Sequence, residues 1–161
     1  MQYGFFLESI AKLCYIEYMH LYLKVSLLTI IVAIIAFFAE PLIWPIDPLN
    51  PTIQSTLAPY RFLSILESIM LGLGVSFLLF AWPLFRKIHA ESTFLAIGTY
   101  ISIGWLLSSW WVHDNLHFYA GMDKQSQLYI EYVFHIPLMI AIVFVTYSFL
   151  ELAIKSLNHR I

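Results

Sequence analysis

The sequence predicts an all-helical integral membrane protein, a single membrane domain over residues 1–161. Of the 161 residues, 61% are apolar and only 11% are charged, whereas about a quarter of an ordinary globular domain is charged. Four segments reach the roughly 20 apolar residues needed to cross about 30 Å of hydrocarbon. These observations predict a four-transmembrane-helix up-down bundle, preceded by an amphipathic N-terminal helical segment.

The N-terminal segment has one apolar side and one polar side. Glu8 and Lys12 are four residues apart, a spacing that stabilises a helix. A straight helix over residues 5–39 would be about 52 Å long, which exceeds the thickness of the hydrocarbon core. We therefore expect residues 1–20 either to bend into the membrane interface or to extend the first span.

A proline-rich stretch separates the first two predicted spans. The first span covers residues 21–39 and should end at Glu40-Pro41, because proline interrupts helical hydrogen bonding. The prolines that follow predict an irregular outer loop to residue 58. The second span covers residues 59–85, with a proline at its tolerated first turn, and Trp82-Pro83 should kink or end it.

The last two predicted spans cover residues 92–117 and 127–152. The connection between them is only about ten residues long, so the two helices should be antiparallel neighbours. Pro137 lies inside the last span and should kink it near His135.

The lysine and arginine residues predict the orientation, since they are enriched in cytoplasmic loops. One predicted side carries Lys12, Lys24, Arg86, Lys87, Lys155 and Arg160. The other side carries Arg61 and Lys124. This distribution predicts that both termini are cytoplasmic, and that residues 40–58 and 113–127 face the outside.

Histidines and carboxylates concentrate around the predicted outer connection. His113 and His117 are four residues apart and share one helix face, and Glu131 and His135 repeat that spacing in the next span. If the two pairs face each other, they provide four nitrogen and oxygen ligands, a set that suits zinc, copper or iron. Asp114 is expected to be either a direct ligand or a carboxylate that orients an imidazole.

A non-metal interpretation of this cluster is also open. Aromatic residues with polar tips gather at membrane interfaces, and several lie nearby: Trp105, Trp110, Trp111, Tyr119, Tyr129 and Tyr132. The histidines and carboxylates would then form a hydrogen-bonded polar cap that stabilises the bundle.

Glu67 lies within the second span, where a charged side chain facing lipid is costly. It should therefore point inward, and its depth makes His135 the expected partner. Three roles stay open for Glu67: a metal ligand or cofactor contact, a member of a proton relay, or a neutral carboxyl that fixes helix register through a serine hydroxyl.

Two further patterns predict contacts within the helical domain. Gly72 and Gly74, together with Ser68 and Ser76, form a small-residue face that allows close helix approach. The remaining histidines, His20, His89 and His159, lie at predicted cytoplasmic ends. We expect their polar tips to reach the membrane interface rather than to bind metal.

The His113–His117 pair resembles the HxxxH pairs of membrane desaturases and hydroxylases. Those di-iron families use several histidine clusters, and the three histidines on this side are too few for such a site. Asp114, His117 and His135 are similar in type to the ligands of copper membrane monooxygenases, although their spacing differs. Neither resemblance assigns the chain to a family.

These features lead to one functional prediction and two alternatives. The prediction is a small subunit of a larger membrane redox or metalloenzyme complex, with the outer cluster as a metal or stabilising site. The alternatives are a stand-alone membrane metalloenzyme, or a transporter that relays protons or ions through Glu67 and His135. The expected partners are the lipid bilayer and other membrane subunits or further copies of the chain. The net charge of −2 gives no basic patch for nucleic acid.

Overall fold

The computed structural model describes the backbone of residues 2–45, 51–121 and 123–158, and the side chains of 19–45, 59, 61–121 and 123–156. The described residues form five helices and no strand: α1 (Gln2–Ile43), α2 (Pro51–Phe80), α3 (Trp82–Ile88), α4 (Thr93–Ala120) and α5 (Lys124–Asn158). All except α3 contain a stretch long and apolar enough to cross a membrane. An all-helical protein with four potential spans is thereby confirmed, in keeping with a location in a membrane.

The first helix is longer at both ends than the predicted span. It is continuous from Gln2, so the N-terminal segment extends the first span, and its 42 residues correspond to about 63 Å. The predicted end at Glu40-Pro41 is wrong, because the helix continues to Ile43. Pro41 costs only one hydrogen bond there, and the backbone N–H of Trp44 still donates to the carbonyl of Glu40 at 2.8 Å.

The second helix begins earlier than predicted. It starts at Pro51, which occupies a first-turn position, and Pro59 lies inside the helix. The predicted irregular loop over 40–58 is therefore too long, and residues 46–50 of it lie outside the described residues. The helix ends at Phe80, before Trp82-Pro83 opens α3, as the proline predicts.

The four long helices are arranged as a row in the described part of the chain. The principal contacts join α1 to α2, α2 to α4, and α4 to α5. The two inner helices are accordingly more buried than α1 and α5. Trp44, just after α1, also reaches Trp111 on α4, with ring centroids 4.8 Å apart.

The small-residue face of α2 allows α1 to approach closely. A Cβ atom at position 72 would overlap the backbone carbonyl of Thr29, so Gly72 permits this contact. One turn further along, the hydroxyls of Thr29 and Ser76 are 3.0 Å apart. The close helix approach predicted for this face is confirmed, and it occurs within the chain.

A short turn joins α4 to α5 and brings their facing residues together. Gly121 has a φ of 55°, which glycine adopts without strain, and its N–H donates to the carbonyl of His117 at 3.1 Å. On the other side of the turn, the N–H of Gln127 donates to the carbonyl of Asp123 at 3.0 Å. This connection places residues 113–117 beside residues 131–135.

Candidate metal centre

The two α4 histidines point one ring nitrogen of each toward the other. The Nε2 atoms of His113 and His117 are 3.1 Å apart, and both side chains are partly buried. Two imidazole nitrogens at this separation either share one hydrogen or direct two lone pairs toward a common ion. The spacing of four on one helix therefore produces the convergence predicted for it.

The α5 residues complete this group. Glu131 Oε1 lies 3.4 Å from His117 Nε2, and Glu131 Oε2 lies 2.6 Å from His135 Nδ1. The His135 Nδ1 atom is also 3.1 Å from the backbone carbonyl oxygen of Glu131. The carboxylate thus links an imidazole of α4 to an imidazole of α5. We call these four residues, His113, His117, Glu131 and His135, the His113 cluster.

The separations can be compared with those around a bound transition metal. Metal–nitrogen and metal–oxygen bonds of about 2.0–2.1 Å in a tetrahedral site place neighbouring ligand atoms about 3.3 Å apart. Two separations in the His113 cluster, 3.1 and 3.4 Å, match this value. Ligand atoms of His113, Glu131 and His135 also lie within 4.8 Å of one another.

Carboxylate and amide groups contact the outward-facing nitrogens of the α4 histidines. Asp114 Oδ1 lies 2.6 Å from His113 Nδ1, and the Gln127 side-chain oxygen contacts His117 Nδ1. The Gln127 side-chain amide donates to the carbonyl of His117 at 3.0 Å. These contacts fix both rings with their Nε2 atoms facing each other, as carboxylates and amides do around metal ligands.

Gln127 was not among the predicted site residues. It lies four residues before Glu131, as Glu131 lies four before His135, so the helical spacing already placed it on the same face. An amide is a poor metal ligand beside imidazole and carboxylate, so its residue type alone gave no reason to include Gln127 in the site.

Glu67 contacts a different residue from the one expected. Its carboxyl lies beside the Asp114 carboxyl, and Glu40 is a nearby acid. Glu40 is itself buried and accepts a hydrogen bond from the Ser64 hydroxyl. The expected Glu67–His135 pair is wrong, because α2 packs on α4, whereas His135 lies on α5.

A second histidine–carboxylate group lies at the opposite ends of these helices. His89 Nε2 is 2.7 Å from the Ser148 hydroxyl, and His89 Nδ1 is 3.3 Å from Glu151 Oε2. We call these three residues the His89 cluster. His89 is only 2% exposed, so the expectation that its tip reaches the interface is wrong: the turn between α3 and α4 folds it against α5. His20 is exposed, and His159 lies outside the described residues.

The chain matches no family model, and no curated protein or solved structure is significantly similar to it. The interpretation of the His113 cluster therefore depends on its own geometry. Three imidazoles and one carboxylate, held by two adjacent helices, can bind a single transition-metal ion or form a hydrogen-bonded network.

Proposed function

We propose that this chain is a small integral membrane subunit of a larger redox or metalloenzyme complex. In this proposal the His113 cluster binds one copper, zinc or iron ion. The observation that carries it is the convergence of the imidazoles and the carboxylate, with separations of 3.1 and 3.4 Å between ligand atoms. The bound ion would supply Lewis-acid or electron-transfer chemistry, or would join α4 to α5.

Asp114 and Glu67 take supporting roles in this proposal. The Asp114 carboxylate contacts the His113 nitrogen that faces away from His117, so it orients the ligand and increases its basicity. Glu67 contacts Asp114 and acts on the ligand only through it. This arrangement favours the orienting role for Asp114 over direct ligation, and in this proposal Glu67 lies one contact further from the ion.

The proposed topology is an up-down-up-down arrangement with both termini in the cytoplasm. Six lysine and arginine residues on one side against two on the other support it, and so does the short turn between α4 and α5. The His113 cluster then faces the extracytoplasmic side.

The row of helices supports a role as a subunit. The outer helices α1 and α5 have their principal contacts with one neighbour each, and large apolar side chains are exposed along both. Lipid would cover part of these faces. Other membrane subunits, or a second copy of the chain, would cover the rest through close helix contacts.

Elemental analysis of purified protein tests the metal site. We expect about one transition-metal ion per wild-type chain and a large loss in His117→Ala, because removing one of four ligands opens the site. The matched control is His20→Ala, since His20 is exposed on α1; its metal content should equal that of the wild type. Equal metal in His117→Ala and the wild type would contradict the proposal.

Electrophoresis in mild detergent at native size separates the subunit proposal from the stand-alone metalloenzyme. A subunit migrates with other chains, whereas a stand-alone enzyme is a lone species with bound metal and turnover. The transporter alternative now requires a path from Glu67 through Asp114 and His113, since Glu67 does not pair with His135 in the described structure. A pH-dependent ion flux in liposomes, lost in Glu67→Gln, would support that alternative.

A further inference from the structure

A groove lies between α4 and α5 at the end of these helices opposite the His113 cluster. Its volume is about 490 Å³, and both helices contribute charged and aromatic side chains to its wall. Ligand sites in proteins typically have volumes of about 300–1,000 Å³, so the groove is large enough to hold part of a lipid molecule. Its lining includes Glu91, Ser92, Phe94, Val143, Phe144 and Glu151.

The charged residues of the groove lie at the ends of the two potential spans. Glu91 comes just before the span of α4, which begins at Thr93, and Glu151 lies close to the end of the α5 span at Ser156. Lys155 joins the two carboxylates, because its Nζ atom lies 2.8 Å from Glu151 Oε1 and 3.3 Å from Glu91 Oε2. The ends of transmembrane helices lie at the level of the lipid head groups.

The apolar part of the groove extends into the spans. The Phe94 ring of α4 and the Phe144 ring of α5 have centroids 5.5 Å apart, and both Phe94 and Val143 are exposed. Along α5, Val143 lies eight residues before Glu151, a distance of about 12 Å. The groove therefore has a charged end and an apolar end, as a phospholipid has.

The charges at the polar end favour a ligand that carries an ammonium group. Glu91 and Glu151 provide two negative charges against the one positive charge of Lys155, and the Glu91 side chain is 82% exposed. Arg86 donates to the Thr93 hydroxyl at 2.8 Å and is not among the residues that line the groove. A carboxylate accepts strong hydrogen bonds from a primary ammonium, so such a group matches Glu91.

Positive charge beside the carboxylates suits a phosphate. The N-terminus of α4 lies at the groove, where the Ser92 side chain caps the helix by accepting from the Leu95 N–H at 3.2 Å. Helix N-termini carry partial positive charge and attract phosphate, and the Lys155 ammonium adds a full charge. The phosphate and the ammonium of an ethanolamine head group are joined by a short link, so one head group suits the adjacent Lys155 and Glu91.

We propose that this groove binds one phosphatidylethanolamine molecule. Its ammonium contacts Glu91, its phosphate contacts Lys155 and the N-terminus of α4, and one acyl chain lies along Phe94, Val143 and Phe144. Phosphatidylcholine has a quaternary ammonium without an N–H group, and phosphatidylglycerol has no positive charge, so both should bind less tightly. The groove shares no residue with the His113 cluster, and this lipid binding does not depend on the metal.

Native mass spectrometry of the full chain in detergent provides the test. The protein is mixed with phosphatidylethanolamine, phosphatidylcholine and phosphatidylglycerol that carry identical acyl chains. We expect one retained lipid per chain, with phosphatidylethanolamine favoured about fivefold over each of the others, because charged contacts at exposed sites are individually modest. Equal retention of the three lipids, or a preference for phosphatidylglycerol, would overturn the proposal.

Substitutions in the groove locate the bound lipid. Glu91→Lys should reverse the preference toward phosphatidylglycerol, because it replaces the acceptor for the ammonium with a second positive charge beside Lys155. Phe94→Ala should weaken retention of phosphatidylethanolamine, since it removes apolar surface from the groove. The matched control, Asp123→Asn, removes an exposed carboxylate at the other end of the helices and should retain lipids as the wild type does.

Two results with these variants would contradict the assignment. An unchanged preference for phosphatidylethanolamine in Glu91→Lys would overturn it, since the head group would then bind elsewhere. Equal retention by Phe94→Ala and the wild type would contradict the position of the acyl chain.

Discussion

The His113 cluster and the His89 cluster both join α5 to its neighbours through histidine and carboxylate, yet their nitrogens are used differently. In the His89 cluster one imidazole is hydrogen-bonded through Nε2 to the Ser148 hydroxyl at 2.7 Å. Its Nδ1 lies 3.3 Å from Glu151 Oε2 but makes no hydrogen bond. In the His113 cluster each α4 imidazole uses Nδ1 for a supporting group and turns Nε2 toward the other ring.

This difference shows that histidine and acid in proximity do not by themselves make a metal site. The His89 cluster has one buried imidazole and, among the described residues, no second imidazole in contact with it. Lys155 lies 2.8 Å from Glu151 as a competing positive charge. Such a group fixes one helix against another. A site for an ion needs several nitrogens or oxygens that point at the same place and still have a free lone pair.

The largest expected effect is metal-dependent stability that requires the His113 cluster alone. Zinc at about 1,000 times its Kd should raise the free energy of unfolding by about 4 kcal/mol, and a chelator should reverse the gain. His89→Ala should show the same gain, and His117→Ala should not. Thermal unfolding in detergent, followed by circular dichroism with and without zinc, measures this. An equal gain in His117→Ala would contradict the conclusion that the His113 cluster binds the ion and the His89 cluster does not.

The second-largest effect is a loss of stability when the His89 cluster is altered, measured without added metal. His89→Ala should lower the free energy of unfolding by about 2–4 kcal/mol, because it leaves a cavity and removes the buried partner of Ser148. The exposed His20→Ala provides the baseline and should change little. Metal content should stay at the wild-type level in both variants. A loss of metal in His89→Ala would show that the two clusters are not independent.

A smaller effect separates the supporting groups of the His113 cluster. Asp114→Asn should weaken metal binding by about 10–100-fold without abolishing it, because the carboxylate that orients His113 becomes a neutral amide. Glu67→Gln should weaken it less, since Glu67 reaches His113 only through Asp114. Competition with a chromophoric chelator measures both. A complete loss of metal in Glu67→Gln would make Glu67 a direct ligand.

The smallest effect is expected at the turn between α4 and α5. The Ser126 hydroxyl, at 2.5 Å, and the backbone N–H of Gln125, at 3.1 Å, lower the pKa of the exposed Asp123. Because the folded pKa is below the unfolded one, this stability is present above the unfolded value, about 3.9, and is lost as the pH falls through the folded pKa.

Asp123→Asn should therefore differ from the wild type most at neutral pH, and the difference should shrink below about pH 4. Unfolding of both proteins across this range measures it. Metal content at neutral pH should be equal in the two, since Asp123 makes its contacts within the first turn of α5. A difference that grows at low pH would contradict the assigned contacts.

The sequence was sufficient for the features that depend on composition and helical spacing. The four apolar stretches gave the spans, and the spacing of four in two adjoining helices brought His113, His117, Glu131 and His135 together. The predictions that were wrong depend on which helices are neighbours. The depth of Glu67 matched that of His135, but α2 packs on α4, so Asp114 became its partner. Proline positions also gave the start of α2 too late, because Pro51 begins a helix as readily as Pro59.

The position of α5 at the edge of the row has a consequence for how the site is reached. Because α5 has its principal contact with α4 alone, no other described helix packs over the seam between α4 and α5 beside the His113 cluster. Gases and other small apolar solutes dissolved in the bilayer would arrive there by lateral diffusion. A chain that docked along α5 would block that path. Association with another subunit would then control the access of such solutes to the site.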